Sequence, residues 1–169
     1  MAKKPQTAQS KRKAIPINIS PMNSKRIISD LVKIDRETFD NPWNARDFTT
    51  IWNEFKCFGI VAKDTDNKCI LSYMFLQAYW GELELRTLVV APDMRNKGIG
   101  TEMIEYIICM LNSKIEGANV IYRFYTEIRE TNLAGQLFFK NRGLVGCHVL
   151  RNRFQNTNED AYVMEYSVI

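Results

Sequence analysis

The 169-residue sequence is poor in the residues on which many hydrolases and metalloenzymes depend: it has one histidine, His148, and four cysteines, at 57, 69, 109 and 147. No two cysteines have Cys-x-x-Cys spacing, so a zinc site would need widely scattered ligands, and no metal is expected. A Ser–His–Asp or Cys–His group has only His148 to use. Cys147 and His148 are neighbours in a strand-like run, where successive side chains point to opposite faces, so a catalytic pair is not expected there. No apolar run approaches the roughly 18–20 residues that span a bilayer. The charged start lacks an apolar stretch followed by a small-residue cleavage site. A cytoplasmic protein with no membrane partner is expected. There is no internal repeat, no Gly-x-Gly-x-x-Gly and no Gly-Lys-Ser/Thr, which disfavours a dinucleotide-binding Rossmann site and a P-loop.

Hydrophobic residues make up 46% of the chain and charged residues 25%, the balance of one ordinary globular domain. Net charge is +4, unevenly placed. Residues 1–13 hold Lys3, Lys4, Lys11, Arg12 and Lys13 and no acid, so the rest of the chain carries 4 − 5 = −1. The expected organisation is a disordered basic tail over 1–13 and one domain over 14–169. The plain reading of the tail is a solvated segment, and the sharper one is contact with RNA or the ribosome. The domain itself gives no sign of binding nucleic acid. Its oligomeric state, monomer or homodimer, stays open.

Hydrophobic period places the elements. Residues 15–19 read as a short strand. Residues 24–39 and 45–55 read as helices, separated by Asn41-Pro42. Residues 57–63, 69–79 and 82–90 read as strands, the first two joined across a turn at 64–67. A helix over 98–112, a strand over 119–128, a short helix over 133–141 and strands over 144–150 and 161–168 follow. The order β-α-α-β-β-β-α-β-α-β-β predicts a mixed α/β domain around one central sheet.

The most informative stretch runs from Leu85 to Gly100. A strand ends, a short basic loop follows, and a helix begins. Gly98 and Gly100 allow unusual φ values and close backbone approach. Free N–H groups at the helix start, with the helix dipole, favour an anion, and Arg95 and Lys97 add charge. The physics predicts a phosphate or pyrophosphate site; the plain alternative is an ordinary strand-to-helix turn.

Arg95-x-x-Gly98-x-Gly100 resembles the Arg/Gln-x-x-Gly-x-Gly/Ala signature of the GNAT acetyltransferases. A second block, from Glu127 through Arg129, Asn132 and Phe139 to Gly143, resembles that family's other motif. The resemblance implies the acyl-CoA N-acyltransferase fold, a single mixed sheet flanked by helices, with acetyl-CoA as co-substrate. It further implies that Arg95, Asn96, Lys97, Gly98, Ile99, Gly100 and Thr101 cradle the pyrophosphate. Leu88, Val89 and Val90 would lend backbone groups to the acetyl carbonyl and pantetheine arm. Asn132 would contact that arm or cap its helix, or both. Ile34-Asp35 followed by Phe39 and Pro42-Trp43, and the final Glu159-Asp160-Ala161-Tyr162, resemble the RimI-like ribosomal-protein-alanine acetyltransferases. On that likeness Phe39, Pro42, Trp43 and Phe154 would flank the acceptor, a protein N-terminus such as a ribosomal protein's. A small amine, a lysine side chain, or a weakly catalytic CoA-binding module are the alternatives.

Attack on a thioester needs a neutral amine, a base for its proton, and donors for the developing oxyanion. The resemblance implies Glu127 as the first choice for base and Glu84 as the rival; a surface carboxylate is the plain reading of each. The tyrosine that the family uses to protonate the departing thiolate falls on Phe139, which has no proton to give, and Tyr125 is a substitute. A pair of tyrosines expected before the last strand reads Arg153-Phe154.

Overall fold

The computed structural model describes residues 15–113 and 121–168. The elements are β1 (Ile17–Pro21), α1 (Ile28–Thr38), α2 (Ala45–Asn53), β2 (Cys57–Asp64), β3 (Ile70–Tyr79), β4 (Glu82–Val90), α3 (Ile99–Asn112), β5 (Arg123–Arg129), α4 (Leu133–Lys140), β6 (Val145–Phe154) and β7 (Glu159–Ser167). The seven strands form one sheet in the order β1-β2-β3-β4-β5-β7-β6. Only β4 and β5 pair in parallel; the other neighbours are antiparallel. The mixed α/β architecture expected from the sequence is therefore present. Among the described residues, no helix is long and apolar enough to cross a membrane.

Strand alternation assigns the two faces of the sheet. Met74, Leu76, Leu83, Leu85 and Phe124 pack with Ile99, Met103, Ile104 and Ile107 of α3 and Phe139 of α4. On the other face, Val61, Tyr73, Phe75 and Val89 pack with Leu31 and Ile34 of α1 and Phe48 and Ile51 of α2. Helices α1 and α2 cover residues of β2, β3 and β4. Beyond them, the same face carries Arg123, Tyr125, Glu127 and Arg129 of β5.

Element ends differ from expectation for local reasons. The helix expected over 24–39 opens as a 3-10 turn, Lys25–Ile27, with the Ser24 hydroxyl accepting from the Arg26 N–H. It stops at Thr38, because Phe39 is extended. Helix α2 stops at Asn53, since Glu54 is extended and Lys56 is left-handed at φ 56°. Strands β6 and β7 reach further toward each other than expected, because the polar residues 151–153 and Phe154 are strand. The expected tail, 1–13, and the expected strand residues 119–120 lie outside the described residues.

Candidate active site

The site begins where β4 and β5 part. Their pairing runs from Glu82↔Arg123 to Leu85↔Thr126 and no further. The buried Thr126 hydroxyl closes the fork by donating to the Leu85 carbonyl at 3.0 Å. Past this point β4 stays with β3 and β5 stays with β7. A bulge falls at the same place: Leu85 faces Leu76 and Thr87 faces Phe75, leaving Arg86 with no opposite residue.

Two carboxylates meet beside the fork. A cavity of about 260 Å³ is lined by Glu84, Leu85, Arg86, Glu127, Arg153 and Phe154. Burial raises the pKa of Glu84 above the usual carboxylate value; Arg86 opposes this and Glu127 adds to it. Glu127 accepts a hydrogen bond from Arg153 Nε at 2.6 Å. Tyr125 is the cross-strand partner of Glu84 but does not line the cavity. Its ring lies under the Arg123 guanidinium at 4.4 Å. Burial, with Glu84 and Glu82, pushes its hydroxyl up to about 12.

A wider groove of about 560 Å³ adjoins, lined by Asn41, Pro42, Trp43, Asp47, Thr50, Ile51, Glu54 and Arg86. Arg86 borders both spaces, donating to the Gln77 side-chain oxygen Oε1 at 2.7 Å. Pro42 and Trp43 thus line a groove, whereas Phe39, 48% exposed, lines neither space. Trp43 also has structural contacts. Its backbone N–H donates to Asp35 Oδ2 at 2.8 Å, and its ring meets Phe48 edge-on at 5.4 Å. Asp35 is 2% exposed, and its other oxygen accepts from the Tyr73 hydroxyl. Burial and this bond drive the Tyr73 pKa upward. Replacing Tyr73 by Phe leaves that carboxylate oxygen without its buried donor. The expected cost is about 1–3 kcal/mol, read as a lower urea midpoint.

The predicted anion cradle follows β4. Gly98 has φ +89°, a conformation that favours glycine, and a Cβ there would meet nothing within 4 Å. No side chain caps the start of α3. In contrast, α2 has a capping box of Asn44 and Asp47, and the Asn132 side chain accepts from the Gly135 N–H to cap α4. The loop is exposed, including Arg95, Asn96 and Lys97. Arg95 Nε donates to the Val90 carbonyl at 3.2 Å. Leu88 and Val90 pack toward α3, while Val89 is buried toward α1 and α2. Ile99 is core. The exposed basic loop and uncapped helix start fit a diphosphate group.

Three other predicted residues have neighbours the sequence did not announce. Phe139 is 8% exposed, a core residue, with Phe138 edge-on at 5.0 Å. Phe138 lies beside Gly100, and Arg142 covers its ring at 3.8 Å. Arg142 also donates to the Thr101 hydroxyl, tying α4 to the first turn of α3. Arg142 marked only a helix end in the sequence. At the other side of the site, Phe154 faces the Arg129 guanidinium at 4.0 Å. Near the sheet edge, a register shift between Gly146 and His148 disturbs the alternation assumed for Cys147 and His148. Among the described residues no three His, Cys, Asp or Glu side chains gather as a metal site.

Comparison with known proteins bears on this geometry. The family model for the acetyltransferase (GNAT) family matches residues 28–144. The [ribosomal protein bS18]-alanine N-acetyltransferase of Escherichia coli (strain K12) is 23% identical over 134 residues, covering 78% of this chain and 84% of that protein. The crystal structure of the ribosomal-protein-S18-alanine N-acetyltransferase from Escherichia coli superposes with a TM-score of 0.75 at 21% identity, covering 90% of this chain and 94% of the other. Arabidopsis thaliana NAA60 in complex with a bisubstrate analogue gives 0.74 at 15% identity, covering 90% and 98%. At these identities the structural likenesses establish the fold.

Proposed function

The chain belongs to the acetyltransferase (GNAT) family, and from that membership we propose that its acceptor is the α-amine at a protein N-terminus, with Glu127 receiving the proton. The reaction class is acetyl-CoA-dependent N-acetylation. Acetyl-CoA supplies the acyl group as a thioester. The neutral amine nitrogen attacks the carbonyl carbon, the C–S bond breaks, and the nitrogen's proton passes to Glu127 directly or through one water. An α-amine has a pKa near 8, so modest help suffices at neutral pH. Backbone groups of Leu88 to Val90 would face the acetyl and pantetheine parts, and the 95–101 segment the diphosphate. Phe139 is buried and aprotic, and Tyr125 holds its proton tightly. Solvent therefore protonates the departing thiolate, whose pKa near 8–9 makes that tolerable.

The observation carrying this reading is the pair Glu84 and Glu127 in one cavity, with the Pro42-Trp43 groove adjoining through Arg86. A second reading, a small amine or lysine side chain, draws on Arg153-Phe154 standing where tyrosine hydroxyls would hold a peptide backbone. Acetyl-CoA turnover, followed as free thiol, on Ala-, Ser- and Met-initiated peptides against polyamines tests the choice. Peptide turnover supports the first reading, and turnover of polyamines alone overturns it.

Glu84 gives a prediction with opposite signs in two measurements. Its pKa is raised in the fold, so below the unfolded value both states are protonated and nothing is lost. As pH rises through the folded value, a half-buried acid must ionise, and stability falls. Glu84→Gln never ionises. Its thermal midpoint should exceed the wild type's at pH 7.5, with the difference closing as pH falls to about 4. Turnover should fall about tenfold, as expected for removing a supporting carboxylate. A larger loss than in the Glu127 variant would transfer the base role to Glu84.

A further inference from the structure

We propose that Arg153 reads a carboxylate on the acceptor, so that the preferred acceptor is an amine with a carboxylate a few bonds away. This rests on the reading of Glu127 as the group that meets the amine. The placement of Arg153 is unusual. In sheet order β7 lies between β5 and β6, so a β6 side chain would not ordinarily touch β5. Here Leu150 faces Ala161 and Phe154 faces Glu159. Residues 151–153 therefore stand opposite Asp160 alone, a three-to-one bulge that re-aims the strand. Asp160 holds it, accepting from the Asn152 N–H at 2.9 Å and from the Arg151 guanidinium. Asn152 takes a left-handed φ of 49°. The bulge carries Arg153 across β7 to Glu127.

That guanidinium is not merely a clamp for Glu127. Its bond to Glu127 uses Nε–H, and a guanidinium has four more N–H donors on its terminal nitrogens. The side chain is 52% exposed, against 19% for Glu127. The other arginines on this face are held from more sides. Arg123 bonds both Glu82 and Glu165 and stacks on Tyr125. Arg129 bonds Thr157 and Glu159 and stacks on Phe154. Arg86 bonds Gln77 and pairs with Glu54 and Glu84. Arg153 thus combines a half-exposed planar fork with a position on the cavity wall. Such a fork matches a carboxylate in two parallel hydrogen bonds. An amine bonded to Glu127 would lie within about 6 Å of it, the length of two hydrogen bonds. A carboxylate on the residue bearing the amine, or on the next side chain, fits that spacing. The cavity then holds complementary pairs: ammonium against Glu127 and Glu84, carboxylate against Arg153.

Two sources share this chemistry: an N-terminus with Asp or Glu second, and a free α-amino acid. The test uses matched acceptors with the full-length enzyme: Ala-Glu- against Ala-Gln-initiated peptides, and alanine against alaninamide. The wild type should favour the carboxylate member of at least one pair by tenfold or more in kcat/KM, mainly through KM. The pair that shows it names the source. Arg153→Gln should abolish that preference, and Arg153→Lys should restore only part of it, since Lys lacks the fork. CoA affinity, read by calorimetry, should change less than twofold, which separates recognition from collapse of the hairpin. Equal wild-type rates on both members of both pairs overturn the proposal while leaving acetyl transfer standing. A preference that survives Arg153→Gln also overturns it. No turnover on any amine, with CoA bound, instead defeats the underlying reading.

Discussion

Glu127→Gln is expected to lower kcat/KM by about 10²–10³-fold at neutral pH while leaving CoA affinity within twofold, the scale of a lost general base. The substitution isolates proton acceptance. Glutamine has the same shape, and its amide oxygen can still accept from Arg153 Nε, so the side-chain contact between β6 and β5 is retained. Its amide cannot hold the proton that leaves the amine as the N–C bond forms. Glu127 also sits one residue beyond the last β4–β5 pair, and its side-chain bond is to Arg153 rather than to the 95–101 segment. Free-thiol release at saturating acetyl-CoA, compared with equilibrium CoA binding, reads the two quantities separately. An unchanged rate would remove Glu127 from the chemistry and leave Glu84 or water. A parallel fall in CoA affinity would mean that the fork and the cradle are coupled.

The geometry of the 95–101 turn was legible in the sequence because its requirements are local. A strand end, a loop with charge, a left-handed glycine and an uncapped helix start all fall within a few residues, and Gly98 does adopt the positive φ that its position implied. Glu84 and Glu127 were also nameable, but through the family resemblance; the structure puts both on the face away from Leu83, Leu85 and Phe124. Their sharing of one cavity was not, because it depends on where the two strands part. Parallel pairing of residues some 40 apart leaves no signal in the chain, and the Arg86 bulge is invisible without a partner strand. Asp35 shows the same limit. In the sequence it stood only as part of the Ile34-Asp35 likeness to RimI-like enzymes, yet it is buried and bonded to Trp43 and Tyr73 from outside its helix. Arg153 is the clearest case. As sequence it registered as a missing tyrosine, and only the three-to-one bulge opposite Asp160 explains how it reaches the site.

Gly100→Leu is expected to weaken CoA binding by about a hundredfold, or roughly 2.7 kcal/mol, with a cooperative fold retained. Gly100 has no positive φ; its constraint is space. A Cβ built there lies 3.3 Å from two ring atoms of Phe138 and 3.4 Å from Val90 Cγ2. A leucine must push the ring outward, which is overpacking with a usual cost of about 1–3 kcal/mol. Displacing Phe138 disturbs more than packing. Arg142 rests on its ring and donates to the Thr101 hydroxyl, so the shift loosens the first turn of α3, whose N–H groups would make the proposed cradle. Gly98→Ala separates this effect from backbone strain. It has open space but keeps the unfavourable φ, so it should weaken CoA binding by about 1 kcal/mol, roughly fivefold, or about twentyfold less than the leucine. A second cycle tests the route through the ring: Phe138→Ala vacates the volume that Leu needs. If the clash with Phe138 is the cause, the double variant binds CoA more tightly than Gly100→Leu alone, a coupling of the kind neighbouring residues show. Additive losses would place the fault at Val90 or in the helix start itself. Undiminished CoA binding by Gly100→Leu would detach the 95–101 segment from the diphosphate altogether.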